Sequence, residues 1–92
     1  MKRGWLFLED GEWKQADEYF DRVLDIDPEY AKAYVGKLCV ELKVIKEDDL
    51  MYQEVPFDED TDYKKAMRFS DKAYRDKLIN FASSVKTRWQ KN

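Results

Sequence analysis

The side chains that most often carry catalysis are scarce in this chain of 92 residues. It contains no histidine and one cysteine, Cys39, so the commonest general base is absent and one copy cannot form an internal disulfide. A nucleophilic thiol needs a neighbouring base or cation that lowers its pKa, and no histidine can serve as that base. We therefore predict that Cys39 is a buried or groove-lining thiol and that the protein is not an enzyme.

Carboxylates are the other candidate reactive groups, and they occur in runs such as Asp48-Asp49 and Asp58-Glu59-Asp60. Neither run has the spaced oxygen ligands, central glycine and closing glutamate of a calcium-binding loop. The sequence also lacks a phosphate-binding loop, a dinucleotide-binding fingerprint and the ligand spacing of a zinc site. No cofactor or metal is predicted, and the acidic runs are expected to be solvated or to cap helices.

Charge is distributed unevenly along the chain. Residues 1–60 hold 8 Lys/Arg and 17 Asp/Glu, a net charge of −9, whereas residues 61–92 hold 9 and 3, a net charge of +6. Six basic residues of the second part fall within about 100° of arc on an ideal helix and form a basic stripe. We expect these residues to pair with acids of the chain, such as those of the second predicted helix, while an acidic protein or a nucleic acid is the alternative partner. The basic stripe consists of Lys64, Lys65, Arg68, Lys72, Arg75 and Lys86.

Hydrophobic periodicity predicts an all-α fold. Hydrophobic residues make up 43% of the chain and charged residues 40%, with three Gly and two Pro, a composition typical of a mostly helical protein. Apolar residues recur at spacings of three and four along three successive segments, which end at turn or cap residues. These three predicted helices cover Lys2 to Asp10, Glu12 to about Ile26, and Pro28 to Ile45.

The second half of the chain is predicted to contain a long connection and one long helix. The connection, residues 46–60, loses the helical period, and we expect Leu50, Val55 and Phe57 to attach it to the core, with one helical turn around Glu47 to Met51. After it, apolar or small residues recur every three or four positions to the end of the chain. This pattern predicts a single long helix, with Asn80 or Ser83-Ser84 as the place for a bend.

The amino-terminal apolar run is short. Trp5-Leu6-Phe7-Leu8 is followed at once by acidic residues, so it is too brief for a signal peptide or a membrane span. We expect a cytoplasmic protein with no membrane association.

An internal repeat suggests how the helices are arranged. Glu12-Trp13-Lys14-Gln15-Ala16 matches Asp62-Tyr63-Lys64-Lys65-Ala66 at an offset of 50 residues, and the similarity continues at three further positions, where Tyr19 and Asp21-Arg22 match Phe69 and Asp71-Lys72. Repeated helix pairs stack because neither pair can bury its apolar face alone. We therefore expect stacked helix hairpins.

Small and large residues at fixed spacing point to a family. Gly4, Phe7, Gly11, Ala16, Phe20, Val23-Leu24 and Pro28, followed by Ala31, Ala33 and Tyr34, resemble the tetratricopeptide repeat (TPR), a helix hairpin of 34 residues. This sequence resembles the short repeat domains of uncharacterised bacterial proteins more than it resembles long eukaryotic arrays. The resemblance implies one TPR-like domain over residues 1–92: a regular repeat (1–34), a second repeat (35–76) with its loop expanded at 46–60, and a capping extension (77–92). Because the first repeat begins almost at Met1, without its opening residues, we expect a piece of a longer protein.

The resemblance also implies a function. In this family the first helix of each hairpin lines a concave groove that holds a peptide or a helix of another protein, so we expect a protein–protein interaction module or scaffold. The carboxylate-binding Lys and Asn set of some members is missing here. There are two alternatives. In the first, the connection, the last helix or a second copy covers this groove, and the chain is a structural or self-associating piece of a larger protein. In the second, the chain binds nucleic acid through the basic stripe. By repeat position, the groove would present Trp5, Leu8, Glu9, Lys32, Val35, Cys39, Leu42 and Lys43.

Overall fold

A computed structural model of the protein describes residues 1–90, and the regular secondary structure of this part is helical throughout. The predicted all-α fold is confirmed. The helices, in chain order, are α1 (Lys2–Glu9), α2 (Trp13–Ile26), α3 (Ala31–Leu42), a 3-10 helix (Glu47–Tyr52), α4 (Thr61–Phe69) and α5 (Lys72–Gln90). Among residues 1–90, none of these helices is both long enough and apolar enough to cross a membrane.

Helices α1, α2 and α3 pack around the ring of Phe20, which has no exposed surface. The ring lies against Gly4 of α1 on one side and Gly36 of α3 on the other. A Cβ atom on Gly4 would lie 2.5 Å from Cε1 of Phe20, and a Cβ on Gly36 would lie 2.6 Å from both Cε1 and Cε2. Only glycine permits this approach at either position, which is why two helices can share one ring.

The ends of α2 and α3 differ from the predicted ones by a few residues. Helix α3 starts at Ala31 instead of Pro28, because residues 28–30 form a turn in which the Asp27 side chain accepts a hydrogen bond from the Glu29 N–H (3.2 Å). It stops before Lys43, whose left-handed backbone (φ 57°) lets the Val44 N–H bond to the Cys39 carbonyl at 2.9 Å. The turn between α1 and α2 lies at Gly11 (φ 70°), as predicted.

The connection, residues 46–60, is attached to the core by two of the three expected side chains. Leu50 and Phe57 are buried, and the 3-10 helix that carries Leu50 packs on α3 and α5. The predicted helical turn around Glu47 to Met51 is this 3-10 helix. The expectation for Val55 is wrong, since 60% of this residue is exposed.

The predicted single long helix is wrong, because the chain breaks at Ser70-Asp71 into α4 and α5. Ser70 has an extended backbone (ψ 148°), and its hydroxyl donates to the Ala66 carbonyl at the end of α4. The Asp71 carboxylate then accepts from the Tyr74 N–H at 2.8 Å and so caps the start of α5. Side-chain hydrogen bonds of Ser70 and Asp71 thus end one helix and begin the next. The predicted bend sites, Asn80 and Ser83-Ser84, lie inside α5. The expected division after residue 76 also falls inside α5, and residues 91–92 lie outside the described part.

Candidate interaction surfaces

The residues assigned to a concave groove do not form one open surface. Leu8, Val35 and Cys39 have no exposed surface and belong to the hydrophobic core, so a partner cannot touch them in this structure. Of the other five, Trp5 and Glu9 line one cleft, whereas Lys32, Leu42 and Lys43 lie outside it. Trp5 and Leu42 are half-buried, whereas Glu9, Lys32 and Lys43 are exposed.

The connection covers the face on which the groove was expected, as one of the alternatives proposed. The 3-10 helix contacts both α3 and α5. Lys77 of α5 pairs with Glu47 at 2.8 Å, and the Tyr74 hydroxyl donates to the same carboxylate at 2.6 Å. What remains between α1 and the connection is a shallow cleft of about 320 Å³, lined by Trp5 and Glu9 and by charged groups of the connection.

The outer side of the connection presents an apolar surface, which we name the connection patch and define as Leu42, Tyr52, Val55 and Pro56. These residues line a depression of about 480 Å³ together with Gln53 and Glu54. Tyr52 is 67% exposed and Val55 is 60% exposed. Of these residues, sequence reasoning assigned only Leu42 to a binding surface; Tyr52 and Val55 stand in a segment without helical period and gave no amphipathic signal.

Hydrogen bonds hold the backbone of the connection patch in place. The Arg88 guanidinium of α5 donates to the Met51 carbonyl at 2.5 Å and to the Gln53 carbonyl at 2.9 Å. Leu50 and Phe57 are buried on either side of this clamp. The patch is therefore displayed by an ordered segment.

A second apolar surface lies along the α1–α2 hairpin, beside the side that packs on α3. This hairpin groove has a volume of about 320 Å³, and its apolar walls are Phe7, Tyr19, Val23 and Ile26. Gln15 and the charged side chains of Arg3, Glu18 and Arg22 complete its lining. Sequence reasoning missed the groove, although Tyr19, Val23 and Ile26 are spaced four and three residues apart on one face of α2.

The basic stripe is divided by the helix break and is engaged within the chain. Three of its lysines form ion pairs: Lys64 with Glu59 at 2.9 Å, Lys72 with Asp76 at 3.4 Å and Lys86 with Asp58 at 3.1 Å. Arg75 donates to the Met67 and Ser70 carbonyls, and Lys65 and Arg68 lie over the rings of Tyr34 and Phe69.

The acids of α2 pair with a different cation from those expected. Asp17 and Asp21 both contact Lys37 of α3, with the first Nζ–Oδ1 distance at 3.1 Å. The expected pairing between α2 and the basic stripe is therefore wrong for these two acids, because α3 lies next to α2.

Three carboxylates meet where α3 ends and α4 begins. Ligand oxygens of Glu41, Asp60 and Asp62 all lie within 4.8 Å of one another. Hydrogen bonding to Asp60, together with burial and the nearby negative charges, raises the pKa of the Glu41 carboxyl to about 7. Burial and Asp60 also raise the pKa of Asp62. At neutral pH this acidic cluster therefore holds a proton in part of the molecules.

Cys39 is buried, and its surroundings suppress reactivity. Burial, reinforced by the negative charges of Glu47 and Asp49, raises the pKa of the thiol to about 12. A thiol that stays protonated in an apolar site is a poor nucleophile, so the geometry offers no support for catalysis at Cys39.

Comparison with known proteins assigns no family to this chain. Scans against protein-family models, curated proteins and solved structures found no match for the chain.

Proposed function

We propose that the protein is a non-catalytic, TPR-like interaction module that binds an apolar peptide or helix of another protein on the connection patch. The observation that carries this proposal is the exposure of Tyr52 and Val55 beside Leu42, around a depression of about 480 Å³. Two large apolar side chains that stand exposed close together on a small domain favour a protein-binding site.

Pre-organisation supports this assignment. Arg88 fixes two carbonyls of the connection, and Leu50 anchors it to the core. A partner therefore does not have to order a flexible loop, and the entropy lost on binding is smaller. Tyr52 offers a large surface with few rotatable bonds and a hydroxyl that can bond to a partner's backbone.

The position of the patch also supports it. Leu42 is one of the residues that the TPR resemblance assigns to partner contact, and it lies at the end of α3, next to the connection. In this proposal the connection occupies the concave face and presents its own outer side to the partner. The basic stripe is not assigned to nucleic acid, since its side chains contact acids, carbonyls or rings of the chain itself.

To test the proposal, the purified protein is immobilised and used to capture partners from a nuclease-treated lysate. The captured partner is then purified, and its affinity for the protein is measured by titration. Val55→Glu places a charge in the patch, and Ile79→Glu is its matched control, because Ile79 is a 40%-exposed apolar residue of α5 outside the patch. We expect Val55→Glu to weaken the measured affinity at least about tenfold and Ile79→Glu to leave it unchanged. Equal affinity of both variants, or the absence of any captured protein, would contradict the assignment.

A further inference from the structure

Four exposed basic side chains of three helices meet around the ring of Phe69, at the break between α4 and α5. We name this group the cationic patch and define it as Lys32 of α3, Lys65 and Arg68 of α4, and Arg75 of α5. Within residues 1–90, none of the four forms an ion pair with a carboxylate. Sequence reasoning placed three of them on the basic stripe, and the fold adds Lys32.

Stacked aromatic rings bring the two cations of α4 together. Tyr34 of α3 stacks on Phe69 of α4, with the ring centroids 5.9 Å apart. The Lys65 ammonium lies 5.7 Å from the centroid of the Tyr34 ring, and the Arg68 guanidinium lies 5.3 Å from that of Phe69. Contact with a ring restricts a long side chain without removing its charge, so both cations are held at the surface.

The other two cations lie beside the same ring. Lys32 lines a depression of about 310 Å³ together with Phe69 and Tyr74, and its ammonium lies 5.6 Å from the centroid of the Tyr74 ring. Arg75 donates to two carbonyls at the end of α4, at 3.2 and 3.4 Å, one of which belongs to Ser70 in the wall of the depression. The four positive charges therefore occupy one continuous surface.

Positive charge exceeds negative charge on this surface. Glu29 and Asp71 are the acids that line the depression, so four cations face two carboxylates. Asp62 precedes Lys65 by three residues, but its carboxylate lies in the acidic cluster. Even with Asp62 counted, the cations outnumber the acids by four to three. The adjacent basic residues are each matched by an acid and add no net charge: Lys64 pairs with Glu59 at 2.9 Å, and Lys72 pairs with Asp76 at 3.4 Å.

We propose that the cationic patch binds a short acidic segment of another protein. A guanidinium offers a fork of N–H donors that matches a carboxylate, and cations already restricted by rings lose less entropy on binding. A short segment is favoured over a nucleic acid, because the chain carries a net charge of −3 and residues 1–60 carry −9. A long polyanion that extends past the patch meets this negative charge, whereas a short segment contacts the patch alone.

This inference goes beyond the proposed function, because it concerns a different surface and a different kind of partner. Lys32 stands near the start of α3 and Leu42 of the connection patch at its end, ten residues or about 15 Å apart along the helix axis. Each surface can fail its test without affecting the other.

The test uses a fluorescently labelled glutamate oligomer, whose binding is followed by fluorescence anisotropy at about 0.15 M salt. We expect saturable binding by the wild type, weakened at least about tenfold in Lys65→Glu/Arg68→Glu. Lys2→Glu/Lys14→Glu is the matched control, because it makes the same change in net charge at two exposed lysines of α1 and α2. It should change the affinity by less than about twofold, since charges that far from the patch are screened.

A milder variant and a second probe complete the test. Lys32→Gln removes one charge from a different helix and should weaken binding of the glutamate oligomer about two- to fivefold. A single-stranded DNA oligomer of the same net charge is the competing probe. Circular dichroism of each variant keeps a folding defect separate from a loss of binding.

Three results would overturn the inference. The first is a wild-type protein that does not bind the glutamate oligomer saturably. The second is equal weakening by the two double variants, which would show that binding follows net charge instead of the patch. The third is tighter binding of the DNA oligomer than of the glutamate oligomer, which would assign the patch to nucleic acid.

Discussion

The packing of Phe20 between two glycines makes a quantitative prediction for Gly36→Ala. At an exposed position in a helix, replacing Gly by Ala stabilises a protein by about 1 kcal/mol. At Gly36 the added methyl group would lie 2.6 Å from two ring carbons of Phe20. The ring cannot move away towards α1, because Gly4 already brings that helix to the same close distance.

The two effects oppose each other, and overpacking should dominate. Forcing an extra methyl group into a packed core costs about 1–3 kcal/mol, and the contact with Phe20 places Gly36 near the upper end of that range. After the gain in helix propensity is subtracted, Gly36→Ala should lower the free energy of unfolding by about 1–2 kcal/mol.

Urea denaturation followed by tryptophan fluorescence measures this change, with the denaturant slope expected to stay constant. Ser83→Ala, at an exposed position of α5, is the control and should change stability by a few tenths of a kcal/mol at most. In the Phe20→Leu background, which removes the ring, Gly36→Ala should no longer destabilise. A Gly36→Ala protein more stable than the wild type, or an unchanged penalty in the Phe20→Leu background, would refute the packing argument.

Three further outcomes follow from the buried and clustered polar groups. Hydrogen bonding to Asp60 raises the pKa of Glu41 to about 7 from 4.5, so the folded protein binds more protons than the unfolded chain in this range and loses stability as pH rises through it. Glu41→Gln should therefore stabilise the protein at pH 8, by on the order of 1 kcal/mol or less because the Glu41 side chain is largely exposed. Below pH 4.5 the same substitution should have little effect. Urea titrations at both pH values measure the change in the free energy of unfolding, and an equal change at the two pH values would contradict this prediction. Cys39, with its pKa raised to about 12, should react with iodoacetamide on the order of a thousandfold more slowly in the native protein than in denaturant, and mass spectrometry that finds equal rates would contradict its burial. Tyr74→Phe removes the donor that lies 2.6 Å from the Glu47 carboxylate and should destabilise the protein by about 1.5–3 kcal/mol in thermal or urea unfolding; an unchanged midpoint would show that Lys77 alone satisfies that carboxylate.

Local sequence patterns were sufficient to predict the first half of the fold. The periodicity of α2 and the turn residue Gly11 fixed two helices and their antiparallel order, since both signals act within a few residues. The break at Ser70-Asp71 was missed because hydrophobic spacing continues across it. There, two side-chain hydrogen bonds to the backbone decide the local structure, and a pattern of apolar residues carries no record of them.

The candidate surfaces were less predictable than the helices. Whether Val35 or Tyr52 is exposed depends on how the connection folds back over α3, a contact that no local pattern specifies. The TPR resemblance placed Leu8, Val35 and Cys39 on the side of α1 and α3 that it assigns to ligand, but here the core uses that side. The hairpin groove, by contrast, was visible in the sequence, because Tyr19, Val23 and Ile26 recur at helical spacing along α2.

The shared burial of Phe20 bears on how the native protein opens. Because α1, α2 and α3 all contact one ring, detaching any of them exposes it, so these helices should open together and protect their amides against hydrogen exchange to a similar degree. Helix α5 instead packs on the 3-10 helix and on α4, and so it depends on the connection rather than on Phe20. Since α4 packs on α3, we expect α4 to open with the three helices around Phe20, and the amides of α5 to exchange faster than those of the other helices.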